Sequence, residues 1–246
     1  METRPGSEGP TAPMSPPPAQ ASLFEDFMDI FTSPSEVFAR REKSGYGMQL
    51  LIVTVLAGLF AFANRGVMSQ IFDVEFQRGA AKAMAANPQI TMDQMNSMRG
   101  VQEKIASFLG YIGTPIFIFV LAFITWLAAK IVAAKVSYEQ AVMIVTLAWI
   151  PRLVGSLVMT LQVVLMDTSR VTNMFSLSLS PARFMDPDAG NPKVFAIMGG
   201  LEPFSIWYTV LAGIGIAVMA KAPRSKGYTA AGIVFVVGLV LPALFR

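Results

Sequence analysis

The apolar stretches of this chain constrain its fold more than any other feature, because each is long enough to cross a bilayer. A transmembrane helix needs roughly 17 to 25 mostly apolar residues. Five stretches reach that length: 47–63 (GMQLLIVTVLAGLFAFA, entered at Tyr46), about 108–129, 138–166, 203–220 and 228–245. Of the 246 residues, 54% are hydrophobic and only 14% charged, whereas a soluble domain carries roughly a quarter charged residues. The expected fold class is an all-α membrane protein. It should be a bundle of about five transmembrane helices, the third kinked by a proline, preceded by short amphipathic helices.

The stretches divide the chain. Residues 1–21 are rich in proline and lack both a basic start and an apolar run, so they read as a disordered tail and not as a secretory signal. Residues 22–44 read as cytoplasmic amphipathic helices and 45–246 as a five-span membrane domain. Within that domain 64–107 is expected to be an extramembrane helical loop, broken at Asn87-Pro88 and restarted by a capping box of Thr91 and Gln94. Orientation follows from Lys and Arg near span ends. Arg40, Arg41 and Lys43, then Lys130 and Lys135, then Lys221, Arg224 and Lys226 all fall on one side of a five-span chain. The expected localisation is the inner (cytoplasmic) membrane, multi-pass, with the N-terminus cytoplasmic and the C-terminus outside.

Composition also removes chemistry. There is no cysteine and no histidine, which excludes disulfides, thiolate zinc sites, a histidine base and histidine-ligated metals. No span contains an aspartate, and no HExxH or phosphate-cradling loop occurs. Asp186-Pro187-Asp188 is a paired-carboxylate candidate, but its Pro, Gly and Asn neighbours make it a turn. No catalytic, cofactor-binding or metal residue is expected, and the chain reads as not an enzyme. The net charge of +3 is too small and scattered for nucleic acid.

Two motifs stand out. In SLFEDFMDIFTSPSEVFARREK, Leu23, Phe24, Phe27, Met28 and Phe31 recur at helical spacing, with Glu25, Asp26 and Asp29 on the other face. A second helix then starts at Ser33 as N-cap, with Pro34 first and Glu36 third. Its basic end suits anionic headgroups. The acidic first helix is expected either to pack on the protein's own cytoplasmic face or to dock into a partner through Phe24, Phe27 and Phe31.

The second motif is TLAWIPRLVGSL, residues 146–157. Ser137 and Gln140 form a capping box that starts the third span. Arg152 lies fourteen residues past Tyr138, about 21 Å along an ideal helix. A charge at that depth costs about 2.5 to 3.5 kcal/mol on insertion scales. Ala148, Arg152, Ser156 and Thr160, spaced by four with Gly155 beside them, form a small and polar stripe that should face other helices. Pro151 frees the Leu147 carbonyl, and Glu202 is the nearest carboxylate. Arg152 reads first as a structural pin, with a transporter or channel whose polar path it lines as the alternative.

These pieces together resemble the YIP family (Ypt-interacting proteins, the Yip-one domain), in its bacterial type. The resemblance rests on FTSPSEVFARRE (31–42), AAKIVAAKVSYEQAVMIV (128–145), LAWIPRLVG (147–155) and EPFSIWYTVLAGIG (202–215). It implies five membrane helices with a cytoplasmic N-terminus, and Glu202, Pro203 and Trp207 setting the fourth span at the interface. Eukaryotic relatives act in vesicle traffic and interact with Rab-type small GTPases. The function implied is a non-catalytic adaptor or membrane-organising component acting through protein or lipid contacts. Expected partners are membrane lipids and another membrane or cytoplasmic protein held through the N-terminal helix. Homo-oligomerisation is left open.

Overall fold

A computed structural model describes residues 22–166, 171 and 173–244; the tail expected over 1–21 lies outside them. Ser22 opens α1 (Leu23–Thr32) with a capping box, its hydroxyl accepting from the Glu25 amide at 3.2 Å while the Glu25 carboxylate accepts from the Ser22 amide at 2.7 Å. Helix α2 (Pro34–Arg40) has Pro34 at its first position as expected, but the Ser33 side chain makes no cap bond. The Ser33 carbonyl does that work, accepting from the Glu36 amide at 3.0 Å.

Helix α3 (Gly47–Ala63) coincides with the first apolar stretch, and α4 (Arg65–Ala86) follows it after a bend of 69°. The Thr91–Gln94 capping box is present and opens α5 (Met92–Ile131), a single helix of 40 residues, about 60 Å long. What the sequence divided into an extramembrane helix and a second span is one rod. Nothing stops it: no proline falls between Thr91 and Pro115, and the helix runs on through Pro115. The Ser137–Gln140 box opens α6 (Tyr138–Ala148). At Trp149 the ladder tightens, the Arg152 amide reaching the Trp149 carbonyl at 2.9 Å, and α7 (Ile150–Leu165) completes the proline-broken span. After a loop with a short 3-10 turn at Pro181–Phe184 come α8 (Pro192–Gly200), α9 (Pro203–Met219) and α10 (Arg224–Leu244).

Helix α5, the α6–α7 pair of 28 residues and α10 are each long and apolar enough to cross a membrane. The bent pairs α3–α4 and α8–α9 raise the count from three to five if each is one span. Pairing matters for α3 and α9 because each has 17 residues, about 25 Å against a hydrocarbon core of about 30 Å. This is a multi-pass, all-helical membrane protein.

The three basic segments meet at one end, as their distribution predicted. Lys221 pairs with Glu42 at 3.0 Å, the Gln140 amide donates to the Glu42 carbonyl at 3.5 Å, and Lys226 donates to the Ala133 carbonyl at 3.4 Å. At the core stands α6, buried on every side from Ala141 to Ala148, as an all-round apolar helix must be. Ile118, Leu211 and Ile216 pack around it. Leu51, Val55 and Leu59, one stripe of α3, are each more than half exposed, which suits a face turned to lipid. In the loop, Asp188 anchors α4 through Arg78 and Lys82, both at 2.9 Å. The Lys82 hydrogen bond and the Arg78 charge hold its carboxyl below the usual range. Asp186 Oδ1 accepts from the Asp188 amide at 2.8 Å, which closes the expected turn over 186–188.

Candidate functional site

The entry segment folds back on itself. Asp26, fully buried, accepts from Arg40 at 3.1 Å and from Arg41 Nε at 2.5 Å, and Asp29 accepts from Arg40 at 2.7 Å. The acidic face of α1 is neutralised by the basic end of α2, closing an antiparallel hairpin whose tip is Ser33-Pro34. Ile30, Val37 and Phe38 are wholly buried beneath it. The hairpin stands along α9. Glu42 meets Lys221 just past the end of α9, Phe38 packs on Gly215, and the Phe31 ring meets Trp207 edge-on at 5.1 Å. From Trp207 to Met219 is twelve residues, about 18 Å of helix.

The three phenylalanines expected to dock together are therefore separated. Phe27 and Phe31 pack inward on the core, and Phe24, 75% exposed, is left outward with Met28 at 58%. Glu36 is exposed near the tip. Asp26, the residue that locks the hairpin, was legible only as part of an acidic face.

Arg152 sits in the first turn of α7 and reaches across to α9. Its Nη2 donates to Ser205 Oγ at 3.1 Å, and its guanidinium lies over the rings of Trp149 at 4.8 Å and Tyr208 at 5.5 Å. Two aromatic faces and one hydroxyl thus offset much of the cost of a charge at depth. Expected partners do not serve. Among the described residues no ion pair within 4.0 Å joins Arg152 to Glu202, and the Arg152 Nε is buried without a partner. The stripe continues outward as a chain of bonds. Ser156 Oγ donates to the Arg152 carbonyl at 3.1 Å, Thr160 Oγ1 to the Ser156 carbonyl at 2.8 Å, and Asn64 Nδ2 to Thr160 Oγ1 at 2.7 Å. That last bond ties α7 to the end of α3.

Beside this chain is a cavity of about 430 Å³, in the half of the bundle away from the basic turns. Arg152, Ser156 and Glu202 line it, joined by Asn64 and Gln162. Pro151 is buried behind them, Pro203 begins α9, and Trp207 belongs to the hairpin seat. The sequence reading missed Asn64, Trp149, Ser205 and Tyr208. One signal was available: Glu202, Ser205 and Tyr208 recur every three residues, which places them on one face of a helix.

Fold and site together define a polytopic helical membrane protein built around a seated N-terminal hairpin and a buried arginine. The family model of the Yip1 domain matches residues 28–245. The chain belongs to the Yip1 domain family. No curated protein and no solved structure matches it.

Proposed function

We propose that this protein is a non-catalytic membrane-organising or adaptor component of the inner membrane, acting through protein and lipid contacts. The observation that carries the reading is the hairpin: it is locked by Asp26 and seated on α9, yet it keeps Phe24 and Met28 exposed. A rigid seat beneath two exposed apolar side chains offers an anchor at little ordering cost. The basic end faces the cytoplasm by the positive-inside rule, which puts the open end of the hairpin and the N-terminus inside and the end of α10 outside. The GTPase interaction of eukaryotic relatives would be met on that same face.

A photo-crosslinking side chain at position 24 or 28, in native membranes, is expected to trap one protein partner from both positions. Phe24→Asp is expected to abolish the adduct formed from position 28. An adduct unchanged by Phe24→Asp would sink the docking role.

A second reading, a solute path lined by Arg152, draws on the cavity. The packing below it favours a dead end, since Ile144, Leu147 and Ile216 are completely buried between the cavity and the basic end. The chain has no cysteine, so Ser156→Cys is a clean probe. It is expected to react with an impermeant thiol reagent from the outer side only. Reaction from both sides, with solute flux lost in Arg152→Ala and kept in Arg152→Lys, would establish a path instead.

A further inference from the structure

Two residues that line the cavity, Arg152 and Asn64, each hold a buried polar atom that no hydrogen bond satisfies, and the two are of opposite character. One is a donor, Arg152 Nε; the other is an acceptor, Asn64 Oδ1. The amide of Asn64 is oriented by its own bonds, since its Nδ2 donates to the Phe60 carbonyl at 2.8 Å and to Thr160 Oγ1 at 2.7 Å. Its carbonyl oxygen must then face away from both. Buried polar atoms are nearly always paired, and each one left alone is costly. The formal charges repeat the pattern, because Arg152 and Glu202 line the same cavity without forming an ion pair with each other.

A ligand that satisfies this set needs an anionic acceptor group at one place and a cationic donor group at another. A plain anion would leave Glu202 and Asn64 Oδ1 facing it unpaired, and a plain cation would do the same to Arg152. A second cavity, of about 510 Å³, adjoins the first and shares Ala61, Met68, Gly110 and Met174 with it. Ile71, Phe72 and Tyr111 give that neighbour a largely apolar wall between α3, α4 and α5, although Arg65, Glu75 and Glu103 also line it. A polar compartment of mixed charge that continues into an apolar one matches an amphiphile.

We infer that the paired cavities bind a zwitterionic phospholipid. Its phosphodiester sits at Arg152, its ammonium faces Glu202 and Asn64, and an acyl chain occupies the apolar compartment. The guanidinium is suited to the diester because it offers several donors in one plane, and it already has Ser205 and two aromatic rings to hold it in place. The inference is independent of the hairpin reading, since no residue of the hairpin lines either cavity.

The test uses the full chain in detergent, with phosphatidylethanolamine, phosphatidylglycerol and soluble glycerophosphoethanolamine as probes and native mass spectrometry as the readout. Phosphatidylethanolamine is expected to bind more tightly than phosphatidylglycerol, and the soluble headgroup far more weakly than either. Arg152→Gln is expected to weaken lipid binding by about tenfold or more, the loss of one charge-assisted hydrogen bond. Glu202→Gln is expected to keep binding but erase the preference for the ethanolamine lipid. Because Arg152→Gln also loosens the α7–α9 contact, Ala61→Phe provides a second variant. It narrows the junction of the two cavities without touching a polar group, and it is expected to lower lipid binding at an unchanged melting temperature. Equal binding of the two lipids by the unaltered chain would overturn the zwitterion assignment. Full lipid binding by Ala61→Phe, or a soluble headgroup as tight as the lipid, would overturn the amphiphile.

Discussion

Asp26→Asn is expected to release the N-terminal hairpin and to destabilise the protein by about 3 kcal/mol, the lower end of what breaking a buried ion pair costs. The aspartate is fully buried and accepts from two guanidiniums that are themselves only partly exposed, 32% for Arg40 and 16% for Arg41. An asparagine keeps the shape but removes the charge and turns an amide N–H₂ toward cationic donors. Phe31 and Phe38 then lose the closure that holds them on Trp207 and Gly215. Trypsin should cut after Arg40 and Arg41 in the variant under conditions where the parent chain resists, and the melting temperature should fall. Asp29→Asn is the matched control. That carboxylate is 35% exposed and, among the described residues, bonds Arg40 alone, so its removal should cost under about 1 kcal/mol. Equal cleavage and equal melting for Asp26→Asn would show that the hairpin is held by its apolar face alone.

The second large effect lies at the α9–α10 contact. A Cβ on Gly227 would run into the carbonyl oxygen of Gly213, and one on Gly213 would meet the Tyr228 ring at 2.6 Å. Small residues, glycine above all, let two helices approach this closely. The obstacle at Gly227 is backbone, which cannot rotate away, so Gly227→Ala must push the helices apart. About 3 kcal/mol is expected, at the upper end for overpacking. Gly232, in the same helix, has nothing within 4 Å of a built Cβ. There the same substitution should stabilise by about 0.5 to 1 kcal/mol, because it removes the entropy a helical glycine loses on folding. Opposite signs in two glycines five residues apart, measured by unfolding in mixed detergent, would confirm the packing. Destabilisation of similar size at both would mean that helix separation is not what matters.

Much of the fold was readable because its determinants are local. The ends of α3 agree with the first apolar stretch, and the capping boxes at Thr91 and Ser137 sit where serine or threonine precedes glutamine by three. The Ser22–Glu25 box has the same form and passed unread because Glu25 was assigned to an acidic face. The continuity of α5 was hidden for another reason. A polar segment beside an apolar one reads as a boundary, yet polarity does not end a helix; only a proline, a cap or a turn does.

The candidate site divides along the same line. Arg152, Ser156, Thr160 and Gly155 shared a stripe in the sequence and share one in the structure, since spacing by four is enough to place residues on a helix face. Their partners come from elsewhere. Ser205, not Glu202, takes the guanidinium, and Asn64 closes the chain from the far end of α3.

What the sequence determined by itself was the class of the molecule: long apolar helices with a single charge buried among them, because length, hydropathy and caps act within a few turns of chain. What only the tertiary structure decided was which groups meet. The neutralisation of Asp26 by Arg40 and Arg41, the standing of the hairpin along α9 and the unsatisfied pair of Arg152 Nε and Asn64 Oδ1 all depend on angles between helices. Those angles are set by contacts between residues far apart in the chain, such as Phe31 on Trp207 and Gly227 on Gly213, and no local pattern encodes them.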